Sequence, residues 1–332
     1  MTTALSSTDD PLPTGVCLYL FDVFPDGTGR RVAEKDVKSP LSAGAAYRWI
    51  HVDIRHPDSE ALILDLTDLT VARALRAEDT RPRVTPHDDG LLVILRGVNL
   101  NPGSDPEDMV SIRMFIKDGL VLSCRIRRLM AIVGLREAIE DGRGPTDVAS
   151  FVVKLAEGLT ERMDVVIGDL ADEVDELEDR SLDEVTGLRQ DVAEIRRAAI
   201  GLRRYIAPQR EALFRLDADN VDFLDRDNRI SIRESVERIT RMVEELDAIR
   251  ERAGVISDQL ADRRAEEMNR NMMILSIVAA IFLPLGFLTG LLGINVGGIP
   301  LANSALGFPL VCALSVAIGG GLILYFRSLK WL

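Results

Sequence analysis

Three histidines, three cysteines and two tryptophans are few for 332 residues, and each scarcity removes a class of function. Cys17, Cys124 and Cys312 stand far apart and form no CxxC pair. Neither a disulfide framework nor a structural zinc motif is therefore expected. His51, His56 and His87 crowd into the N-terminal third, which leaves no Ser/His/Asp constellation to argue and little material for a His-rich metal site. No Walker A loop is present, so direct ATP-driven pumping is not expected, nor is any enzyme activity or bound cofactor. Aromatic residues are 5% of the chain, too few for a base-stacking surface, and the net charge is −13. Nucleic acid as a partner is thereby disfavoured, since phosphate contact needs a basic face. The first residues, MTTALSSTDDPLP, have neither a basic stretch nor an apolar core and do not read as a signal peptide.

The absence with most consequence is that of charge near the C-terminus. All 53 acidic residues precede position 272, and beyond it only Arg327 and Lys330 are basic. Residues 272–292 and 308–326 are charge-free runs of 21 and 19 residues. Each approaches the ~20 residues that cross about 30 Å of hydrocarbon. The loop between them, 293–307, is uncharged too. Arg263, Arg264 and Arg270 precede the first run, while Arg327 and Lys330 follow the second. The positive-inside rule then places both termini in the cytoplasm and the loop outside. The chain reads as a multi-pass protein of the plasma membrane with an acidic, water-soluble body.

That body divides by pattern. Residues 1–14 are a Ser/Thr/Pro-rich tail expected to be disordered. From 15 to 145 the signals are mixed. Val16 to Phe24 is a run apolar but for Asp22, closed by Pro25-Asp26-Gly27, and reads as a buried strand. Tyr47 to Ile54 alternates, with Trp49, His51 and Asp53 on one face and Ile50, Val52 and Ile54 on the other. Two short helices, with Asp58 as an N-cap, precede strands at 83–85, 91–98, 109–117 and 120–125. Asp89-Gly90 and Asp118-Gly119 are hairpin signals. Leu129 to Glu140 reads as a helix ended by Gly142. An α/β domain is expected here.

From 146 to 271 the pattern becomes helical. Phe151, Leu155, Leu159, Met163, Val166, Leu170, Val174 and Leu177 form one apolar stripe. Helices are expected at 182–205 and 209–216. Ile232, Val236, Ile239, Val243, Leu246, Ile249, Ala253, Ile256 and Leu260 then keep a spacing near 3.5, a coiled-coil-like seam. With no proline before Pro284, this stalk helix is expected to continue to Leu292, roughly 90 Å at 1.5 Å per residue. Two spans per chain cannot surround a water-filled path, because bare polar groups cannot face lipid. A conducting protein built this way needs several copies around an axis.

Gly293-Ile294-Asn295 closes the first run, after Pro284-Leu285 and before Val296-Gly297-Gly298-Ile299-Pro300. Placed there, behind a long helix and an acidic body, the chain resembles the CorA superfamily of metal-ion transporters. The loop GINVGGIP and the stretch Leu95 to Gly103, followed by Asp105 to Val110, resemble its ZntB-like zinc branch. The resemblance implies a funnel-shaped homopentamer in the bacterial inner membrane. It implies a cytoplasmic α/β domain, long stalk helices, and a pore lined by the first transmembrane helix. It also implies divalent metal ions, zinc foremost, as substrate. Two departures separate the chain from the magnesium branch: the outer loop has no acidic residue, and Gly286 stands where a hydroxyl residue is common. The alternatives are a magnesium, cobalt or nickel transporter, or a membrane-tethered scaffold.

The family pattern carries over to Asn269, Met272, Leu275, Leu283, Gly286 and Asn295 as pore-facing, with Gly293 releasing the backbone from the helix. On the residues alone, Asn295 serves equally as a cap of the span or as a mouth ligand. Its amide oxygen would accept hydrogen bonds from a hydrated cation, and Met272 and Leu275 would form apolar collars. Cys312 reads as a packed thiol, and Pro284 as a bend. The carboxylates Asp172, Glu173, Asp175, Glu176, Glu178 and Asp179 read either as a solvated helix face or as a field that gathers cations. His51, Asp53, His56 and His87 are a candidate zinc-ligand set, against the plainer reading of a solvated or hydrogen-bonded strand face.

Overall fold

The computed structural model describes residues 15–88, 90–117, 119–183, 187–218, 224–294, 298–301, 304–329 and 331. They fall into two units, 1–257 and 258–332.

The first unit is built on a seven-stranded mixed sheet. Its strands are β1 (Cys17–Val23), β2 (Gly29–Arg31), β3 (Tyr47–Asp53), β4 (Arg83–His87), β5 (Gly90–Gly97), β6 (Val110–Lys117) and β7 (Leu120–Arg125). Their order is β2-β1-β3-β7-β6-β5-β4, and only β3–β7 is parallel. Three hairpins explain most of that order: β1–β2, β4–β5 and β6–β7. In the first, Asp26 Oδ1 accepts the Thr28 N–H at 2.9 Å, so the turn at Pro25-Asp26-Gly27 reverses the chain rather than merely ending a strand. In the last, Gly119 takes φ +65°, open to glycine without strain. Asp89 and Asp118 lie outside the described residues.

The register puts one side chain from each of five strands into a row. Leu20, Ile50, Leu122, Phe115 and Leu92 are successive partners across β1, β3, β7, β6 and β5. This face packs on α1 (Ser59–Leu66) and α2 (Leu69–Arg76) through Ile63, Val71 and Leu75. The other face carries Tyr47 and Trp49, whose rings meet Phe151 at 6.1 and 5.2 Å between centroids. Phe151 belongs to α4 (Val148–Asp183), which follows α3 (Met130–Glu140). With both faces covered, β3, β5, β6 and β7 are buried nearly throughout, so strict alternation of polar and apolar residues is not required of them.

Three local expectations change. Asp58 makes no side-chain cap; Asp68 does, accepting from Thr70 N and Val71 N at 2.6 and 3.0 Å. The helices expected at 182–205 and 209–216 are one helix, α5 (Leu188–Ala218), with Pro208 inside it. Proline removes one bond to the carbonyl four residues earlier, and tertiary packing of a buried stripe outweighs that loss. The change of pattern near 145 is not a break in packing, because α4 and α5 cover the sheet within the same unit. The apolar seam of α6 (Arg226–Leu292) is buried at Ile232, Ile239, Leu246, Ile249, Ala253 and Ile256, with Val236 half-buried.

Charged groups tie the unit together at a few buried points. Asp22 and Arg48 are cross-strand partners on β1 and β3. Arg48 Nε and Nη2 donate to the Asp22 carboxylate at 2.6 and 2.9 Å, and Ser42 donates to it through N and Oγ at 3.0 and 2.7 Å. Arg48 Nη1 also donates to the carbonyls of Val37 and Ser39 at 2.9 and 2.7 Å, pinning residues 36–42 to the sheet. Burial alone would raise the Asp22 pKa, but the hydrogen bonds and charge of Arg48 and Ser42 outweigh it and hold the carboxyl below its usual range. Fully buried Arg113 donates to Ala77 O at 2.7 Å and so satisfies a carbonyl at the end of α2.

Asp22→Ala leaves the Arg48 cation buried and uncompensated, and should destabilise the fold by about 3–5 kcal/mol. A carboxylate with a depressed folded pKa stabilises above its unfolded pKa and loses that contribution as the pH falls through the folded value. Thermal unfolding of the full chain in detergent should therefore give a variant deficit at pH 7 that shrinks on acidification. A deficit independent of pH would contradict this role.

Candidate functional site

In the second unit the C-terminal part of α6 meets α7 (Gly307–Ser328). Both helices are long and apolar enough to cross a membrane. Their apolar side chains are mostly exposed, as at Phe282, Phe287, Phe308 and Val316. Exposure of that extent fits lipid contact rather than a soluble core.

The faces of α6 are distinguishable. Ile277 is buried, and Ile281, Pro284, Leu285, Leu288 and Leu292 are half-buried. At about 100° per residue they share one face, the one covered by α7. Leu285 Cδ1 lies 3.7 Å from where a Cβ would stand at Gly319, so the small residue on α7 admits it. Met272, Leu275, Leu283 and Gly286 are all exposed, Leu275 at 70% and Leu283 at 74%. They centre about 170° round the helix from the α7-facing stripe. Asn269 is exposed about 60° to one side of Met272. A Cβ at Gly286 would meet nothing within 4 Å, so the glycine is a recess in the stripe. Gly293 lies just past the end of α6, its N–H donating to Thr289 O at 2.9 Å. Asn295 lies outside the described residues. Pro284 sits within α6, and Cys312 is exposed on α7.

The structure does not assemble the expected zinc quartet. His51 on β3 and His87 on β4 are separated by β7, β6 and β5, about 19 Å at the usual interstrand spacing. The ring of His51 stacks on Tyr19 at 5.3 Å, and its Nδ1 is 2.8 Å from Ser123 Oγ. The same oxygen accepts the Trp49 indole N–H at 2.8 Å. Burial pushes the His51 pKa down to about 3, with the Arg125 charge acting in the same direction. Asp53 is occupied by Arg55, whose Nε and Nη2 donate to it at 2.9 and 2.7 Å. Burial would raise the Asp53 pKa, but Arg55 and Arg125 depress it. His56 Nδ1 accepts the Asp58 N–H at 3.2 Å. His87 Nε2 instead meets Asp68 Oδ2 at 2.6 Å. The periodicity that placed His51 and Asp53 on one face was sound, but that face is covered by helices rather than open to solvent. The Asp68–His87 contact has no sequence signal, since 19 residues separate the pair.

The six carboxylates from Asp172 to Asp179 are exposed on α4. Arg252 of α6 bridges two of them, donating to Asp175 and to Glu178 Oε2, the latter at 2.6 Å.

The family model for CorA-like Mg2+ transporter protein matches residues 44–328. The chain belongs to the CorA-like family. Metal-ion transport is therefore its activity. It is 39% identical over 287 residues to the zinc transport protein ZntB of Pectobacterium carotovorum, covering 86% of this chain and 88% of that one. It is 39% identical over 311 residues to the divalent cation transporter CmaX of Pseudomonas aeruginosa, covering 92% and 94%. Its fold matches the structure of full-length CmaX with a TM-score of 0.83, over 95% of this chain and 98% of that one. His51 is a core residue.

A histidine kept neutral by burial opposes folding in acid: its folded pKa lies below the unfolded value near 6.5, so stability is complete above that value and falls as protons bind the unfolded chain. Between pH 6.5 and about 4, wild type should lose stability faster than His51→Phe, by roughly 1.4 kcal/mol per pH unit. Parallel pH–stability curves for the two proteins would contradict the buried, neutral His51.

Proposed function

We propose that this CorA-like chain carries a divalent cation, zinc foremost, across the bacterial inner membrane. It does so as a homopentamer with the Met272, Leu275, Leu283 and Gly286 stripe facing a shared aqueous path. The observation that carries this reading is the geometry of α6. One face is taken by α7, and the opposite face is exposed with a glycine recess. Two helices per chain cannot enclose water, so the unoccupied face must meet copies of itself around an axis. Asn269 stands at the cytoplasmic end and Asn295 at the outer mouth, where amide oxygens receive the ion's hydration shell without a fixed negative charge. Met272, Leu275 and Leu283 supply apolar collars that close by dewetting. The termini stay in the cytoplasm, with Arg263, Arg264, Arg270 and Arg327 at the inner surface. The acidic face of α4 adds a negative field that raises cation concentration on the cytoplasmic side.

Zinc is favoured over magnesium because one of the two relatives at 39% identity is named for zinc transport, the other being named for divalent cations in general. The uncharged 293–307 loop agrees with that choice, since it holds no carboxylate for a hard cation.

Purified protein in sealed liposomes should admit Zn2+, and native mass measurement should find five chains. Gly286→Leu has room to fold, yet should cut the flux at least about tenfold, since five added side chains converge on one level of the path. Asn295→Ala should lower or broaden transport. Flux unchanged by Gly286→Leu would remove the stripe from the path, and absence of flux for every divalent ion would end the reading.

A further inference from the structure

The water-soluble unit contains a side-chain cluster that the transport path does not use. Asp68, His87 and Asp88 each offer one ligand atom, and the three atoms lie within 4.8 Å of one another. We propose that these three residues bind one Zn2+ per chain.

The fold brings them together from three local structures. Asp68 is the N-cap of α2, His87 ends β4, and Asp88 follows in the β4–β5 turn. Asp68 divides its oxygens. Oδ1 accepts the Thr70 and Val71 N–H groups at 2.6 and 3.0 Å, which fixes the carboxylate and aims Oδ2 at His87 Nε2, 2.6 Å away. The edge of the Phe115 ring, 6.5 Å between centroids, holds the imidazole. Asp88 Oδ2 lies 3.9 Å from the same nitrogen. Tetrahedral zinc with ligands at 2.0–2.2 Å sets its donor atoms ~3.3 Å apart. The two separations from Nε2 bracket that value, and the Asp88 side chain is 87% exposed and free to rotate inward. The fourth position opens to water. An imidazole with two carboxylates suits zinc, whereas magnesium prefers six oxygens. Hydrogen bonds that pre-orient a ligating carboxylate strengthen such a site.

The site stands apart from the transport reading, because binding to it requires no flux. The full chain in detergent, stripped of metal, is titrated calorimetrically with Zn2+ alone. Wild type should take up one more Zn2+ per chain than His87→Ala. Asp88→Asn keeps a residue tolerant of the turn's φ of +43°, and Asp68→Asn keeps an amide oxygen for the cap. Each should weaken that binding step at least about tenfold. Millimolar Mg2+ should leave the step in place. Matching isotherms for wild type and His87→Ala overturn the proposal. So does a loss confined to His87→Ala, since the carboxylates would then take no part. Should His87→Ala fail to fold, the Asp88→Asn titration alone decides, unchanged affinity being the overturning result.

Discussion

Hydrocarbon offers no hydrogen bonds, and every feature of the C-terminal unit answers to that constraint. Backbone groups inside a bilayer must be satisfied within the segment, so the chain crosses as helices. A cation and its water cannot touch lipid, so the path must be walled on all sides by protein. Among the described residues one chain supplies two such walls, α6 and α7. On the proposed transport reading the chain is a fraction of a conducting unit, and one face of a helix is reserved for an axis it does not itself complete. The α6 helix has such a face. Its residues toward α7 are covered, and those opposite are open.

The first unit solves a different problem, that of covering both faces of a sheet with helices. Both sheet faces are buried, by α1 and α2 on one side and by α3, α4 and α5 on the other. Apolar packing supplies most of the stabilisation, but it is not directional. Direction comes from a few charged contacts. Arg48 on Asp22 fixes the loop before β3, Arg113 closes the end of α2, and Arg96 lies 3.9 Å over the ring of Tyr205 on α5. On the outer surface Arg252 ties α6 to α4, and Arg203 ties α5 to α6 through Asp247 at 2.7 Å. Arg252 neutralises part of the acidic face of α4, so its field is weaker than its count of carboxylates implies.

Much of this was legible in the residues. Charge depletion beyond 272 and the 3.5-spaced seam located the helices, because burial and hydrocarbon impose periods that composition must obey. Alternation at Tyr47 to Ile54 gave the faces of β3. What could not be read was contact between distant segments. Trp49 and His51 look like an open polar face until Phe151, about a hundred residues on, is packed on Trp49 and the Tyr19 ring is stacked on His51. Asp58 reads as a cap and makes none, while Asp68, which no pattern singled out, caps α2. Pro208 signals a break that the surrounding helix overrides. His87 meets Asp68 because a strand edge passes the start of α2, which no spacing rule records. The family resemblance rested on a tripeptide in context, and the match over residues 44–328 agrees with it.

The central claim is that the α6 face opposite α7 meets water inside the membrane. Single cysteines placed at Met272, Leu275, Leu283 and Gly286, and at Ile281 and Phe287 as controls, in a background without Cys17, Cys124 and Cys312, test it directly. A small hydrophilic thiol reagent applied to the protein in bilayers should label the first four at rates far above the two controls. Equal and negligible labelling at all six positions would contradict the account.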